Sequence, residues 1–295
     1  MSAPDLTSAV ERVGAGALAS EPRVIQGAAP EHEAMPPAAA LSSRSAILVG
    51  SLAFGVLFLL AWQFVPPALG VPSYIIPTVT DLAREFGRMV LRENLLVHIL
   101  STVTIATTGF VIGSLLGAAM GYVLGMSVFI EKVLSPYILG LQIAPKVAFA
   151  PLFIMWLGYN AWPKLLVTIL VVFFPILVNV LQSMKTVDRD LINLARAYSM
   201  SRMQIFWKIE VPTSMPALMA GLRIGATLAV IGVTVGELVG GNTGLGYLIT
   251  FGEGQANTAM VFNAIVLLTL IGIVLYGAVA TLEARVLHYI PRAMR

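Results

Sequence analysis

The feature that most restricts this chain is a series of apolar runs, each about 20 residues long or more and nearly free of charge. A helix rises about 1.5 Å per residue, so such a run matches a hydrocarbon layer about 30 Å thick. Inside that layer the backbone must satisfy its own N–H and C=O groups, which leaves helices or closed barrels. No alternation of polar and apolar positions runs through these segments, and with 26 glycines and 13 methionines the chain does not read as a barrel. Hydrophobic residues make up 58% of the 295 and charged ones 11%, too few to cover a water-soluble globule. The expected fold class is an all-α membrane protein with about six transmembrane helices.

The runs place spans at 46–64, 99–124, 134–157, 164–184, 216–239 and 260–284. Residues 1–43, rich in Ala, Pro, Ser and Glu, read as a disordered cytoplasmic tail, and 44–295 as the membrane domain. The first run starts at Ala46, too far into the chain for a cleaved signal peptide, so it is expected to remain as an anchoring span. An even number of spans puts both termini on one side. On that side fall Arg44, Lys132, the loop residues Lys185, Arg189, Arg196, Arg202 and Lys208, and the terminal Arg285, Arg292 and Arg295. The other side has Arg84, Arg88, Arg92 and Lys164. The excess of Lys and Arg predicts cytoplasmic termini and a cytoplasmic 185–215 loop in a bacterial inner membrane. Arg84, Arg88 and Arg92 alternate with Asp81, Glu85 and Glu93, the pattern of an amphipathic periplasmic helix at the membrane surface.

Little in the chain supports catalysis. It has no cysteine, and His32, His98 and His288 lie far apart with no second ligand at helical spacing, so neither a metal site nor a catalytic residue is expected. A net charge of +3 does not point to nucleic acid. Gly109, Gly113, Gly117, Gly121 and Gly125 recur every four residues along the second span and form a smooth stripe for close helix packing, either within one subunit or at a dimer seam.

Between spans four and five the chain is too polar for the membrane and too periodic for a linker. Leu191, Leu194, Ala195 and Tyr198 share one helical face, and Met203, Ile205, Phe206 and Ile209 precede Pro212 in a second short helix. Pro216 is expected to open span five. Two helices meeting near Ser199 to Arg202 would present an apolar knob ringed by Arg196, Arg202 and Lys208, suited to a groove on a soluble partner. An interfacial loop on acidic membrane lipid is the other reading.

This loop resembles the signature of binding-protein-dependent ABC importer permeases, written EAA, three residues, G, nine residues, I, one residue, LP. Laid on this chain the signature begins at Asn193, Leu194 and Ala195, reaches Ser199, and ends at Ile209, Val211 and Pro212 with every interval kept. Asn193, Leu194, Ser199 and Val211 depart from its Glu, Ala, Gly and Leu. Around it, APKVAFAPLFIMWLGYN at 144–160, FFPILVN at 173–179, MPALMAGLRIG after the loop, Gly236–Glu237 and GLGYLI at 244–249 look like the nitrate, sulfonate and taurine branch. Members similar in the APKVAFAPLF region also include permeases for pyrimidine or flavin-type compounds.

The resemblance implies a type I ABC importer permease fold that moves a small, anionic organic or inorganic solute by alternating access. Asn193, Leu194, Ala195, Ser199, Arg202, Ile209 and Pro212 would belong to a coupling helix docked on a cytoplasmic ATP-binding subunit, which holds the ATP and Mg. A second permease copy, forming a homodimer, and an extracytoplasmic solute-binding protein complete the implied assembly. The chain shows no GxxxxGK[ST] run, so it is expected to bind no cofactor and to be no enzyme.

Within the membrane, Lys146 follows Pro145 near the middle of span three and Pro151 is expected to interrupt the same span, a place where a lysine costs about 3 kcal/mol unless it meets a polar path. It either lies beside the translocation path, favouring an anion, or is structural, paired with Glu237 or with backbone carbonyls. Arg223 is expected to snorkel to the headgroups, and Glu237 to serve a gate or to hold the loop at Gly241–Gly246. Trp156, Tyr159 and Trp162 read as an interface belt. An ion-coupled secondary transporter is the alternative class, but only one proline-broken span is visible, without a second copy.

Overall fold

A computed structural model describes residues 44–289. The expectations for the 1–43 tail with His32, and for Arg292 and Arg295, fall outside the described residues. Among the described residues all regular structure is helical. The elements are α1 (Arg44–Ala68), α2 (Val79–Arg92), α3 (Leu95–Gly125), α4 (Val128–Ile143), a 3-10 turn (Lys146–Phe149), α5 (Ala150–Leu157), α6 (Ala161–Lys185), α7 (Arg189–Ala197), α8 (Arg202–Ile205), a π-type turn (Phe206–Glu210), α9 (Val211–Gly240), α10 (Leu245–Gly254), α11 (Thr258–Val286) and a final 3-10 turn (Leu287–Tyr289). Five helical stretches are long and apolar enough to cross a membrane, and α4 with the 3-10 turn and α5 makes a sixth that bends by 78°. Each expected span is there, lengthened by a few residues at its ends.

Two proline assignments need correction. Pro151 does not interrupt the third span: it sits in the first turn of α5, where a missing N–H costs nothing, and the break falls upstream at Ala144 and Pro145. Pro216 does not open the fifth span either, because α9 already starts at Val211 and holds Pro216 inside it. The chain passes from α8 into α9 through the wide turn, whose Val211 N–H bonds to the Phe206 carbonyl. That widening accommodates Pro212, which has no N–H to offer and whose ring would crowd a regular preceding turn.

Contacts divide the chain into Met1–Leu57 and Phe58–Arg295. In the first unit α1 carries exposed apolar side chains, among them Ile47, Leu52 and Phe54, as a helix solvated by lipid does. In the second unit α6 is the central helix, flanked by α3 and α9. Gly109 of α3 faces Thr168 and Gly125 faces Met184, so α3 and α6 run parallel. Gly221 of α9 faces Asn179 and Gly236 faces Lys164, so α9 runs the opposite way. One end of this bundle therefore carries α7, α8 and the wide turn, and the other carries the α9–α10 loop.

α2 begins with a capping box in which the Asp81 N–H donates to the Thr78 hydroxyl at 3.2 Å and the Thr78 N–H to the Asp81 carboxylate at 3.2 Å. The Thr78 hydroxyl also donates to that carboxylate at 2.7 Å and holds its pKa below the ordinary value. α2 does more than lie at a surface. Its Leu82, Glu85 and Met89 are buried, and Met89 packs with Leu95, Leu245, Leu248 and Met260.

Candidate functional site

The α7–α8 elbow is built from local signals. Asp188 caps α7 by accepting from the Asp190 N–H at 2.8 Å. After Ala197 the chain turns through Ser199 at φ 56°, and the Ser199 and Met200 N–H groups return to the carbonyls of Arg196 and Ala195. A helix that ends this way favours glycine at the left-handed residue. The position where the permease signature has Gly is thus one whose backbone asks for Gly. α8 then starts with a second capping box, Ser201 and Gln204.

The elbow's side chains divide into two sets. Ala195, Ile205 and Phe206 are buried, and Phe206 joins Val172, Ile176, Val180 and Met184 of α6 in one core cluster. Leu194, Tyr198, Met203 and Trp207 stay exposed, at 55%, 78%, 57% and 62%, and Asn193 and Ser199 are exposed as well. Ile209 and Pro212 are half-buried at the entry to α9. Arg202 does not ring the knob as expected. Its guanidinium turns inward, donating to the Met126 carbonyl at 2.7 Å and pairing with the buried Glu210 at 3.5 Å. The physical reason is that the carbonyls at the end of α3 lack helical partners and take a cation well.

At the break in the third span, Lys146 donates to the Gln142 carbonyl at 2.6 Å, and its ammonium lies 4.8 Å from the centre of the Phe174 ring. Its pairing is with the backbone, not with Glu237. Pro145 and the 78° bend leave this carbonyl without a regular helical partner, and the lysine supplies one.

Glu237 is completely buried at the other end of the bundle. The Thr102 hydroxyl contacts its two oxygens at 2.9 and 3.0 Å, and the Gly246 N–H donates to it at 2.8 Å. Thr102 accepts in turn from the Leu245 N–H at 2.8 Å. The Lys164 ammonium donates to the Thr243 carbonyl at 2.9 Å, and Nδ1 of His98 accepts from the Gly244 N–H at 3.1 Å. Four elements, α3, α6, α9 and the start of α10, thus meet in one polar knot. Gly244 has φ 114°, and its place beside the Glu237 carboxyl leaves no room for a side chain.

The candidate path residues do not converge. Arg223 pairs with Glu283 of α11 and lies 5.8 Å from the centre of the Tyr276 ring, so an ion pair replaces the expected snorkelling. It stands 14 residues before Glu237 on α9, about 21 Å along the axis.

The glycine stripe of α3 faces α6 of the same chain. A Cβ on Gly117 would lie 2.6 Å from the Phe173 carbonyl oxygen, and one on Gly121 would lie 2.9 Å from that of Leu177. Gly109, Gly113 and Gly125 meet Thr168, Val172 and Met184 in the same way. A second stripe escaped the sequence reading: Gly221, Gly225, Gly232 and Gly236 of α9 press on an adjoining face of α6 and share Thr168, Val172 and Ile176 with the α3 stripe. Their intervals of four and seven are a readable helical signal, whereas Thr102, His98 and Lys164 could have been found only as polar residues inside or bordering apolar runs.

The elbow, the broken span and the six crossings narrow the class, and comparison decides it. Residues 109–288 match the family model described as "Binding-protein-dependent transport system inner membrane component". The chain belongs to this family. It is 32% identical to the formylaminopyrimidine transport permease protein ThiX of Halalkalibacterium halodurans over 78% of this chain and 91% of that one. It is 34% identical to the riboflavin transport system permease protein RibX of Chloroflexus aurantiacus over 77% of this chain and 85% of that one. A third relative, the putative aliphatic sulfonates transport permease protein SsuC of Bacillus subtilis, is 29% identical over 77% of this chain and 83% of its own length. The chain is therefore an ABC importer permease, a membrane subunit that hydrolyses nothing itself and works with an ATPase and a binding protein. Nothing favours the ion-coupled carrier.

Proposed function

We propose that the chain carries a small anionic organic or inorganic solute into the cell, of the sulfonate, taurine or nitrate kind or a pyrimidine or flavin-type compound, with the α7–α8 elbow as the docking piece for the ATP-binding subunit. The observation that carries this reading is the division of the elbow's side chains. Leu194, Tyr198, Met203 and Trp207 project from a turn in which Ile205 and Phe206 are buried, Phe206 in the core cluster formed with α6 and α9. A push on the exposed set is transmitted to the spans through a packed core. In this reading the elbow and both termini are cytoplasmic, in line with the distribution of Lys and Arg. ATP and Mg sit on the partner, and closure of the ATPase pair shifts the permease between its two states.

A second copy of the chain completes the path. α4 buries none of its residues within the chain, although it is a 16-residue membrane helix leading into a break with a lysine. Such a backbone break is tolerated in a membrane where protein or a water-filled cavity covers it. In this reading Lys146, while bonded to the Gln142 carbonyl, also lies beside the translocation route, where its charge favours anions. The named substrates of the relatives, formylaminopyrimidine, riboflavin and aliphatic sulfonates, mark the range from which the solute comes.

The chain has no cysteine, so single-cysteine variants test this directly. Ser201→Cys is expected to crosslink to the ATPase subunit and to be labelled only from the cytoplasmic side. Labelling from outside, or no capture of the ATPase, overturns the docking assignment. Unchanged uptake and unchanged charge preference in Lys146→Gln remove the path assignment.

A further inference from the structure

Between Glu131 and Asp188 the chain has no acidic residue, so the Lys146 charge at the break of the third span meets no carboxylate from its own stretch. Its ammonium gives one of three N–H donors to the Gln142 carbonyl and lies over the buried Phe174, near the middle of α6. In the 3-10 turn Lys146–Phe149 residues three apart eclipse, so Phe149 stands on the same side as the lysine. α5 continues that face with Phe153 and Trp156, at helical intervals of four and three. The rings form a row: the Phe149 and Phe153 centroids are 6.2 Å apart with planes 22° from parallel, and Phe153 and Trp156 are also 6.2 Å apart. Phe153 rests on Val167 and Val171 of α6, whereas Phe149 and Trp156 stay 40% and 65% exposed. The row does not sit at one membrane level. Lys146 stands at Phe174, while Ile154 meets Gly240, one turn beyond the Gly236 that faces Lys164 at the start of α6. From Lys164 to Phe174 is about 15 Å along the helix, so the rings run from the polar-knot end of the bundle down to the lysine.

We propose that the translocation path is selective for planar aromatic anions, with Lys146 taking the charge and the exposed face of Phe149 taking the ring. This rests on the reading of Lys146 as a path residue. A lysine alone serves any small anion, nitrate and aliphatic sulfonates included. An exposed ring beside it adds a face that a flat partner covers by offset stacking and a puckered one does not. Phe153 and Trp156 repeat that face toward the end of the bundle from which, on the sidedness given above, the solute arrives. Phe149 is thus a specificity-determining residue, and Lys146 supplies attraction without discrimination of shape.

The test is a calorimetric titration of the permease–ATPase complex in nanodiscs, with empty nanodiscs subtracted, using benzenesulfonate and cyclohexanesulfonate. The two anions carry the same charged group on six-carbon rings, and only one ring is flat. Benzenesulfonate is expected to bind about fivefold more tightly. Phe149→Leu should remove that preference, and Phe149→Tyr, which keeps a ring, should stay within about twofold of the parent. Lys146→Gln should weaken both anions severalfold. Equal affinities that both fall in Lys146→Gln refute the ring selectivity alone. A preference that survives in Phe149→Leu also refutes it, since the flat ring is then read elsewhere. Affinities that Lys146→Gln leaves unchanged refute the path reading on which the selectivity rests, and binding of neither anion overturns both.

Discussion

The Arg202 guanidinium donates to the Met126 carbonyl at 2.7 Å, so the α7–α8 elbow is fastened to the end of α3, 76 residues away in the chain. With Glu210 on its other side, Arg202 holds α8 at a set distance from the bundle. Removing the side chain in Arg202→Ala loses a half-exposed, charge-assisted bond worth about 1 kcal/mol. The expected result is a roughly fivefold drop in uptake, with normal membrane insertion and continued capture of the ATPase. Uptake assays and co-purification measure the two separately.

Ser199 pays a conformational cost at φ 56° that glycine escapes. Ser199→Gly should stabilise the complex by at most about 1 kcal/mol, and Ser199→Val should destabilise it by about 1–2 kcal/mol, because a β-branched residue tolerates this region least. Thermal unfolding of the purified permease reads both. Equal melting temperatures for the two variants would remove the account.

Glu237 is required by the groups around it. In Glu237→Ala the Gly246 N–H and the Thr102 hydroxyl lose their acceptor in a dry site, a loss of about 2–4 kcal/mol. Glu237→Gln keeps an acceptor and should cost less than half as much. The readout is thermal stability together with protease cleavage at the α9–α10 loop, which should rise in Glu237→Ala.

Gly117 tests the packing of α3 on α6. Its Cβ position lies 2.6 Å from a main-chain oxygen, which cannot swing away as a side chain would. Gly117→Ala should therefore cost about 1–3 kcal/mol, while Gly140→Ala, with open space around it, should cost next to nothing or stabilise α4. Melting temperatures in detergent compare the pair.

The membrane class, the number and approximate limits of the spans, the α3 glycine stripe and the elbow between Leu191 and Pro212 were all legible in the sequence, because each depends on the spacing of residue types along one helix. Apolar length, a four-residue interval and a capping residue are local quantities. The direction of Arg202, the pairing of Arg223 with Glu283 and the knot around Glu237 were decided by the tertiary structure alone. A buried or intramembrane polar group must find a partner, but which partner depends on the faces that α3, α6 and α9 bring together, and those belong to residues 60 to 146 positions apart.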